Sequence, residues 1–250
     1  MSLAQGGGKG KDSLRNFLRM SGWRFSGFLK GRGSVSVFPS TDGEAFCRIR
    51  EGVMELAREA QLRRTTKETE VEVFVNIDGT RQIDIVLNVP FFPHLLEALA
   101  FHAGWDLVLR AEGDQERVDN HHIVEDVGIV LGEALHQCLA DKKGLQRFGS
   151  AFVPMDEALG MAVVDLSGRP YLVYDVPSSL GPKVGNFEVI LLEEFLRSFT
   201  SFARFTLHAK IWWGKNAHHA FEALFKATGR ALHEAVQVRG DVLPSTKGIL

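Results

Sequence analysis

The clearest order in the chain begins at Glu70. Val71, Val73, Val75 and Ile77 alternate with Glu72, Phe74 and Asn76, the two-residue period of a strand with one buried face. Asp78-Gly79 is a turn signal, and Ile83, Ile85, Leu87 and Val89 then resume the alternation, which predicts a hairpin. The period changes after that. Pro93 fits the first turn of a helix over 92–103, and a strand falls near Leu107–Leu109. From His121, the residues Ile123, Val127, Val130, Leu131, Ala134, Leu135 and Cys138 recur at the three-and-four spacing of an amphipathic helix.

The second half repeats that order. Strands are predicted at Met161–Leu166 and Tyr171–Val176, joined by Ser167-Gly168. A helix over 188–203 and a strand near Phe205–Ile211 follow. A second amphipathic run then carries Phe221, Leu224, Phe225, Thr228, Ala231, Leu232, Ala235 and Val236. Each half reads ββαβα, so the chain is predicted to be an α+β protein built by duplication, with helices on one face of mostly antiparallel sheets. Residues 61–147 form the first repeat and 148–250 the second, after a basic N-terminal extension over 1–60 expected to be poorly ordered.

Each amphipathic run opens on the same word. His121-His122-Ile123-Val124-Glu125 and His218-His219-Ala220-Phe221-Glu222 stand 97 residues apart, and Gly132, Ala134 and Leu135 match Gly229, Ala231 and Leu232 at that offset. On a helix, residues three and four apart share a face, so each glutamate lies beside both of its histidines. Imidazole and carboxylate together suit a transition metal. One such word is more often a surface feature of a helix start; its recurrence at the same place in a repeated unit argues for a metal site. Aligning the middle helices sets 94–109 over 194–209 and pairs His94 with Glu194, two potential ligands at equivalent helix starts. The plainer reading of Glu194 is a solvated carboxylate favoured by the helix dipole.

Composition narrows the classes. The chain has 250 residues, 45% hydrophobic and 24% charged, as soluble globular proteins do. A net charge of −2 argues against nucleic-acid binding, and no apolar run is long enough to span a membrane. Cys47 and Cys138 have neither disulfide-framework nor metal-ligand spacing, which fits a reducing compartment. Residues 1–53 are Gly-rich at the start and carry more Lys and Arg than Asp and Glu. They read as a dispensable extension, an organelle transit peptide or translated upstream sequence, with Met54 as an alternative start. The cytoplasm is the expected location, or an organelle such as a plastid if the extension is a transit peptide.

Six segments taken together resemble the imidazoleglycerol-phosphate dehydratase family: RTTKET (64–69), HHIVED (121–126), RFG (147–149), DLSGRP (165–170), GKNAHHAFEALFKA (214–227) and PSTKG (244–248). The resemblance implies a duplicated fold like the second domain of ribosomal protein S5. It also implies 24-subunit particles with active sites at subunit boundaries, and two Mn²⁺ ions per site. The implied ligands are His94, His121, His122, Glu125, His218, His219 and Glu222, with Glu194 at a position where the family often has His. The implied activity is loss of water from imidazole glycerol phosphate to give imidazole acetol phosphate, in histidine biosynthesis. Arg147, Arg169, Lys226, Ser245, Thr246 and Lys247 would hold the phosphate, Glu68 would contact substrate and transfer protons, and His102 would contact substrate. His94, His122 and Glu222 would share in catalysis. One departure stands out: Phe91-Phe92-Pro93-His94-Leu95 replaces the family's FLDHM, which removes an Asp beside His94. Two rival readings are a two-metal hydrolase and a metal-binding assembly subunit without catalysis.

Overall fold

A computed structural model describes residues 47–50, 53–56, 58–113 and 118–248. The chain divides into two compact units, Met1–Ala57 and Arg58–Leu250. In the first, strands β1 (Cys47–Arg50) and β2 (Val53–Leu56) pair as an antiparallel hairpin inside the stretch expected to lack order. The rest of that expectation, over 1–46, lies outside the described residues.

The second unit contains both repeats. The first comprises β3 (Glu59–Thr65), β4 (Thr69–Asn76), β5 (Ile83–Leu87), α1 (Phe92–Ala103), β6 (Asp106–Gly113) and α2 (His121–Leu139). The second comprises β7 (Phe148–Met155), β8 (Ala158–Asp165), β9 (Tyr171–Asp175), a small hairpin of β10 (Lys183–Val184) and β11 (Phe187–Glu188), α3 (Ile190–Ala203), β12 (Thr206–Trp213) and α4 (Ala217–Ala235). Strand orders β3-β4-β6-β5 and β7-β8-β12-β9 correspond one to one, which establishes the duplicated α+β architecture.

Two expectations are corrected. Each half carries an additional first strand, so the unit is βββαβα. β3 and β7 lie at sheet edges, and most of their side chains escape full burial, so neither leaves a clean alternation in the sequence. Pro154 inside β7 obscures it further. The predicted hairpin is also absent: β6 lies between β4 and β5, and β12 likewise lies between β8 and β9. The Asp78-Gly79 turn wraps around the start of β6 instead. The Asp106 carboxylate accepts the backbone N–H groups of Thr80 and Gln82 at 2.6 and 2.9 Å, and a side chain at Gly79 would strike the Asp106 backbone. β5 and β6 run parallel, joined through α1, as a strand–helix–strand unit requires.

The helices of the two halves pack crosswise, α1 on α4 and α2 on α3. Both crossings use a glycine. A Cβ on Gly229 would come 2.3 Å from the Leu99 carbonyl oxygen, and one on Gly132 would come 2.7 Å from that of Phe199. Leu99 lies five residues after His94, and Phe199 five after Glu194; each glycine lies seven after the glutamate of its word. The two crossings thus share one register. Phe92, Leu95, Phe195, Phe199, Phe221 and Phe225, all fully buried, fill the space between the halves.

Candidate metal centre

At both HHxxE helices, the side chain two residues before the first histidine accepts that histidine's N–H. The Asp119 side chain accepts the His121 N–H at 2.8 Å, and that of Asn216, in the corresponding place, accepts the His218 N–H at 2.9 Å. Each side chain satisfies an otherwise unpaired helix-start amide at the first histidine of its word.

The α1–α4 crossing assembles a ligand group from both halves. Nε2 of His94 lies 2.8 Å, and Nε2 of His218 3.1 Å, from the same Glu222 oxygen. Donor atoms of these three residues all fall within 4.8 Å of one another, and two imidazoles with a carboxylate suit a divalent transition metal. The His94 and His218 side chains are each nearly half exposed, at 45% and 44%, whereas Glu222 is buried. Burial pushes the Glu222 carboxyl up, but hydrogen bonds and charge from Lys226 and His94 outweigh it and hold the group at about 2. It is therefore a carboxylate at neutral pH. Pro93 occupies the first turn of α1, and no acidic residue stands there, yet His94 still reaches Glu222.

The remaining expected ligands lie at other corners. His121 Nε2 sits 3.7 Å from Glu125 on α2, and His122 Nδ1 sits 3.8 Å from Glu68, on the turn between β3 and β4. That turn is tied to α2 by Asp126, which accepts from Arg64 at 2.9 Å and from the Thr69 hydroxyl. His219 Nδ1 lies 3.0 Å from Glu157, on the turn between β7 and β8. Glu194, half-buried, lies on the first turns of α3. Among the described residues, one chain brings His94, His218 and Glu222 into a single group that could hold a metal and leaves the other five expected ligands outside it.

The expected phosphate contacts also divide. Arg147 grips Asp165 with two nitrogens, at 2.7 and 3.2 Å, and donates to the Pro244 carbonyl at 2.8 Å. Arg169 reaches the same carboxylate at 3.9 Å and remains exposed. Arg147 and Arg169 thus meet beside the 244–248 segment that carries Ser245, Thr246 and Lys247. Lys226 is placed elsewhere, with its ammonium 2.6 Å from the second oxygen of Glu222. His102 lines a cleft of about 520 Å³ with Arg81, Ser150, Arg230, His233 and Glu234. Burial, and then the charges of Lys226, Arg230 and Arg81, push its imidazole down, which favours the neutral ring.

A sequence model of the imidazoleglycerol-phosphate dehydratase family matches residues 87–232. The Streptococcus sanguinis enzyme of that name is 51% identical over 195 residues, 77% of this chain and 100% of its own length. The Granulibacter bethesdensis enzyme is 50% identical over 198 residues, 78% of this chain and 100% of its own. The chain belongs to the imidazoleglycerol-phosphate dehydratase family. The solved dehydratase from Staphylococcus aureus aligns with a TM-score of 0.65 at 39% identity, covering 72% of this chain and 99% of that one. The one from Pyrococcus furiosus aligns equally well, over 76% of this chain and 100% of its own. Against that family, two residues stand out that sequence reasoning passed over: Asp126, which anchors the Glu68 turn, and Glu157. Glu157 would have emerged from the repeat had β3 and β7 been legible, because its turn corresponds to the one carrying Glu68.

Proposed function

We propose that the chain removes water from imidazole glycerol phosphate to give imidazole acetol phosphate, in cytoplasmic histidine biosynthesis, with two Mn²⁺ ions per active site. The observation that carries this reading is the His94–His218–Glu222 group, formed by two helices of a dehydratase-family chain at the word both halves share. Metal ions bound by such ligands act as Lewis acids and as a template for the substrate. Everything else falls to the chain's own side chains. Arg147 and Arg169, with guanidinium forks suited to a phosphate dianion, would hold the substrate's phosphate with Ser245, Thr246 and Lys247. Lys226 would complete that grip by leaving Glu222. Glu68, on a turn braced by Asp126 and beside His122, is the proton-transfer group.

We further propose that the full site forms between copies, in a 24-subunit particle. Two features support this. His94, His218 and His121 are each nearly half exposed, at 45%, 44% and 44%, in a chain that leaves five of eight expected ligands apart from the central group. In addition, the outer face of the second sheet carries exposed Phe148, Phe152, Val163 and Trp212. Such an apolar patch marks a surface that another protein covers.

The test uses metal-stripped protein with imidazole glycerol phosphate and, separately, a simple phosphate monoester. Turnover of the first alone, restored by Mn²⁺ together with a rise in particle mass by light scattering, is the expected result. Release of phosphate from the monoester would favour the hydrolase reading. Absence of both reactions, despite bound Mn²⁺ and a large particle, would favour the assembly subunit.

A further inference from the structure

Glu157 is held more firmly than an ordinary surface carboxylate. One of its oxygens accepts the backbone N–H groups of Lys215 and Asn216, at 3.1 and 2.8 Å, where the chain enters α4. The other lies 3.0 Å from Nδ1 of His219. An ionised carboxylate can only accept hydrogen bonds, so Nδ1 must carry the proton in this contact. The other ring nitrogen, Nε2, is then the one that can present a lone pair. Carboxylates that fix a ligand histidine in this way orient the ring and select its tautomer.

The first half shows what is particular to this contact. Glu68 occupies the corresponding turn, and His122 is the counterpart of His219 at the 97-residue offset. There the carboxylate stands 3.8 Å from Nδ1, beyond direct hydrogen-bond distance. The Glu68 backbone N–H donates to the Thr66 hydroxyl, and among the described residues no helix-entry amide donates to the Glu68 side chain. The turn between β7 and β8 is shorter: Met155 and Ala158 pair across it, which leaves only Asp156 and Glu157 in the loop. Asp156 has a positive φ of 48° that completes the reversal. A tight loop pinned to the start of α4 presents Glu157 to the ring in one position.

We propose that Glu157 is a positioning residue that sets the tautomer of His219 and leaves Nε2 as its metal-binding nitrogen. This rests on the reading of His219 as a ligand. Duplication would then have produced two turn carboxylates with separate tasks: Glu68 serves proton transfer, and Glu157 serves metal affinity.

Glu157→Gln separates the two tasks Glu157 performs. The amide oxygen can still accept from Lys215 and Asn216, but the amide N–H₂ then faces Nδ1 and makes that nitrogen an acceptor. The proton moves to Nε2 and blocks it. Mn²⁺ alone is titrated calorimetrically into the metal-stripped full chain, with the thermal midpoint of each metal-free protein measured alongside. Glu157→Gln should weaken one class of Mn²⁺ sites by about 10–100-fold with little change in midpoint. Glu157→Asp, which keeps the charge, should recover part of the affinity, and His219→Ala should lose at least as much as the Gln variant. Wild-type affinity in Glu157→Gln, beside weakened binding in His219→Ala, overturns the proposal. So does a midpoint drop shared by Gln and Asp with no difference between them in affinity, since that is a cap and nothing more. If His219→Ala itself binds Mn²⁺ like the wild type, the assignment of His219 as a ligand fails, and this proposal with it.

Discussion

The two halves share a topology and a crossing register, yet their working corners differ in how tightly they are held. In the second half, Glu222 is buried and bonded to His94, His218 and Lys226. In the first, Glu125 is only half-buried and lies 3.7 Å from His121. The same asymmetry separates the turn carboxylates, with Glu157 locked by two amides and a ring and Glu68 standing off at 3.8 Å. The outer sheet faces diverge too. The first carries polar pairs, Arg63 with Glu70, Gln61 with Glu72 and Arg110 with Asp84, whereas the second exposes aromatic residues. A duplicated scaffold therefore repeats what folding needs and varies what chemistry and assembly need.

The strongest test of that contrast acts on Glu68. Glu68→Gln should cut kcat by about 10²–10⁴-fold, the usual contribution of a positioned acid or base, while Mn²⁺ stoichiometry stays at the wild-type value. Steady-state kinetics beside elemental analysis would decide it. If metal is lost as well, Glu68 behaves like Glu157 and the division of labour between the turns is wrong.

A smaller effect is expected where the halves should agree. The shared crossing register sets Glu194 over the α2 word as His94 is set over the α4 word. Glu194→Gln should lower affinity for one metal by at least about tenfold, since outer-shell changes alone cost that much. Glu194→His should retain much of the activity. A solvated helix-start carboxylate would instead cost about 0.3–1 kcal/mol of stability and leave metal content alone. Metal per subunit after dialysis distinguishes these outcomes.

The smallest change concerns packing alone. Gly229→Ala and Gly132→Ala each drive a methyl group into the backbone of the opposing helix and should cost about 1–3 kcal/mol. Gly229→Ala should cost more, because its approach is 2.3 Å against 2.7 Å. Denaturant unfolding of the metal-free chain measures both. Equal costs would mean that the two crossings yield alike, and the tighter hold on the second half would then lie in its polar contacts.

Much of this molecule was legible from the chain alone. The helices at 92–103 and from His121, the repeat, and the ligand words all follow from spacings of two, three and four residues. Those patterns are local: a buried face imprints its period on the segment that forms it. The metal-ligand types were equally legible, because imidazole and carboxylate carry their chemistry wherever they sit. The His94–Glu194 equivalence could be read as well, since two copies of one sequence reveal which positions correspond.

Partnership was decided only in three dimensions. Asp78-Gly79 looks like a hairpin turn, but whether β4 meets β5 depends on β6, which arrives some twenty residues later and bonds better between them. The edge strands β3 and β7 were hidden because half-exposed residues need no alternation. For the same reason Glu157 was invisible: it sits on the turn of an unseen strand and reaches a histidine 62 residues away. Lys226, expected among the phosphate contacts, lies against Glu222, one helical turn before it on α4. Spacing along a chain reports what each residue is and which way it faces, whereas distance between segments depends on the packing of every element between them.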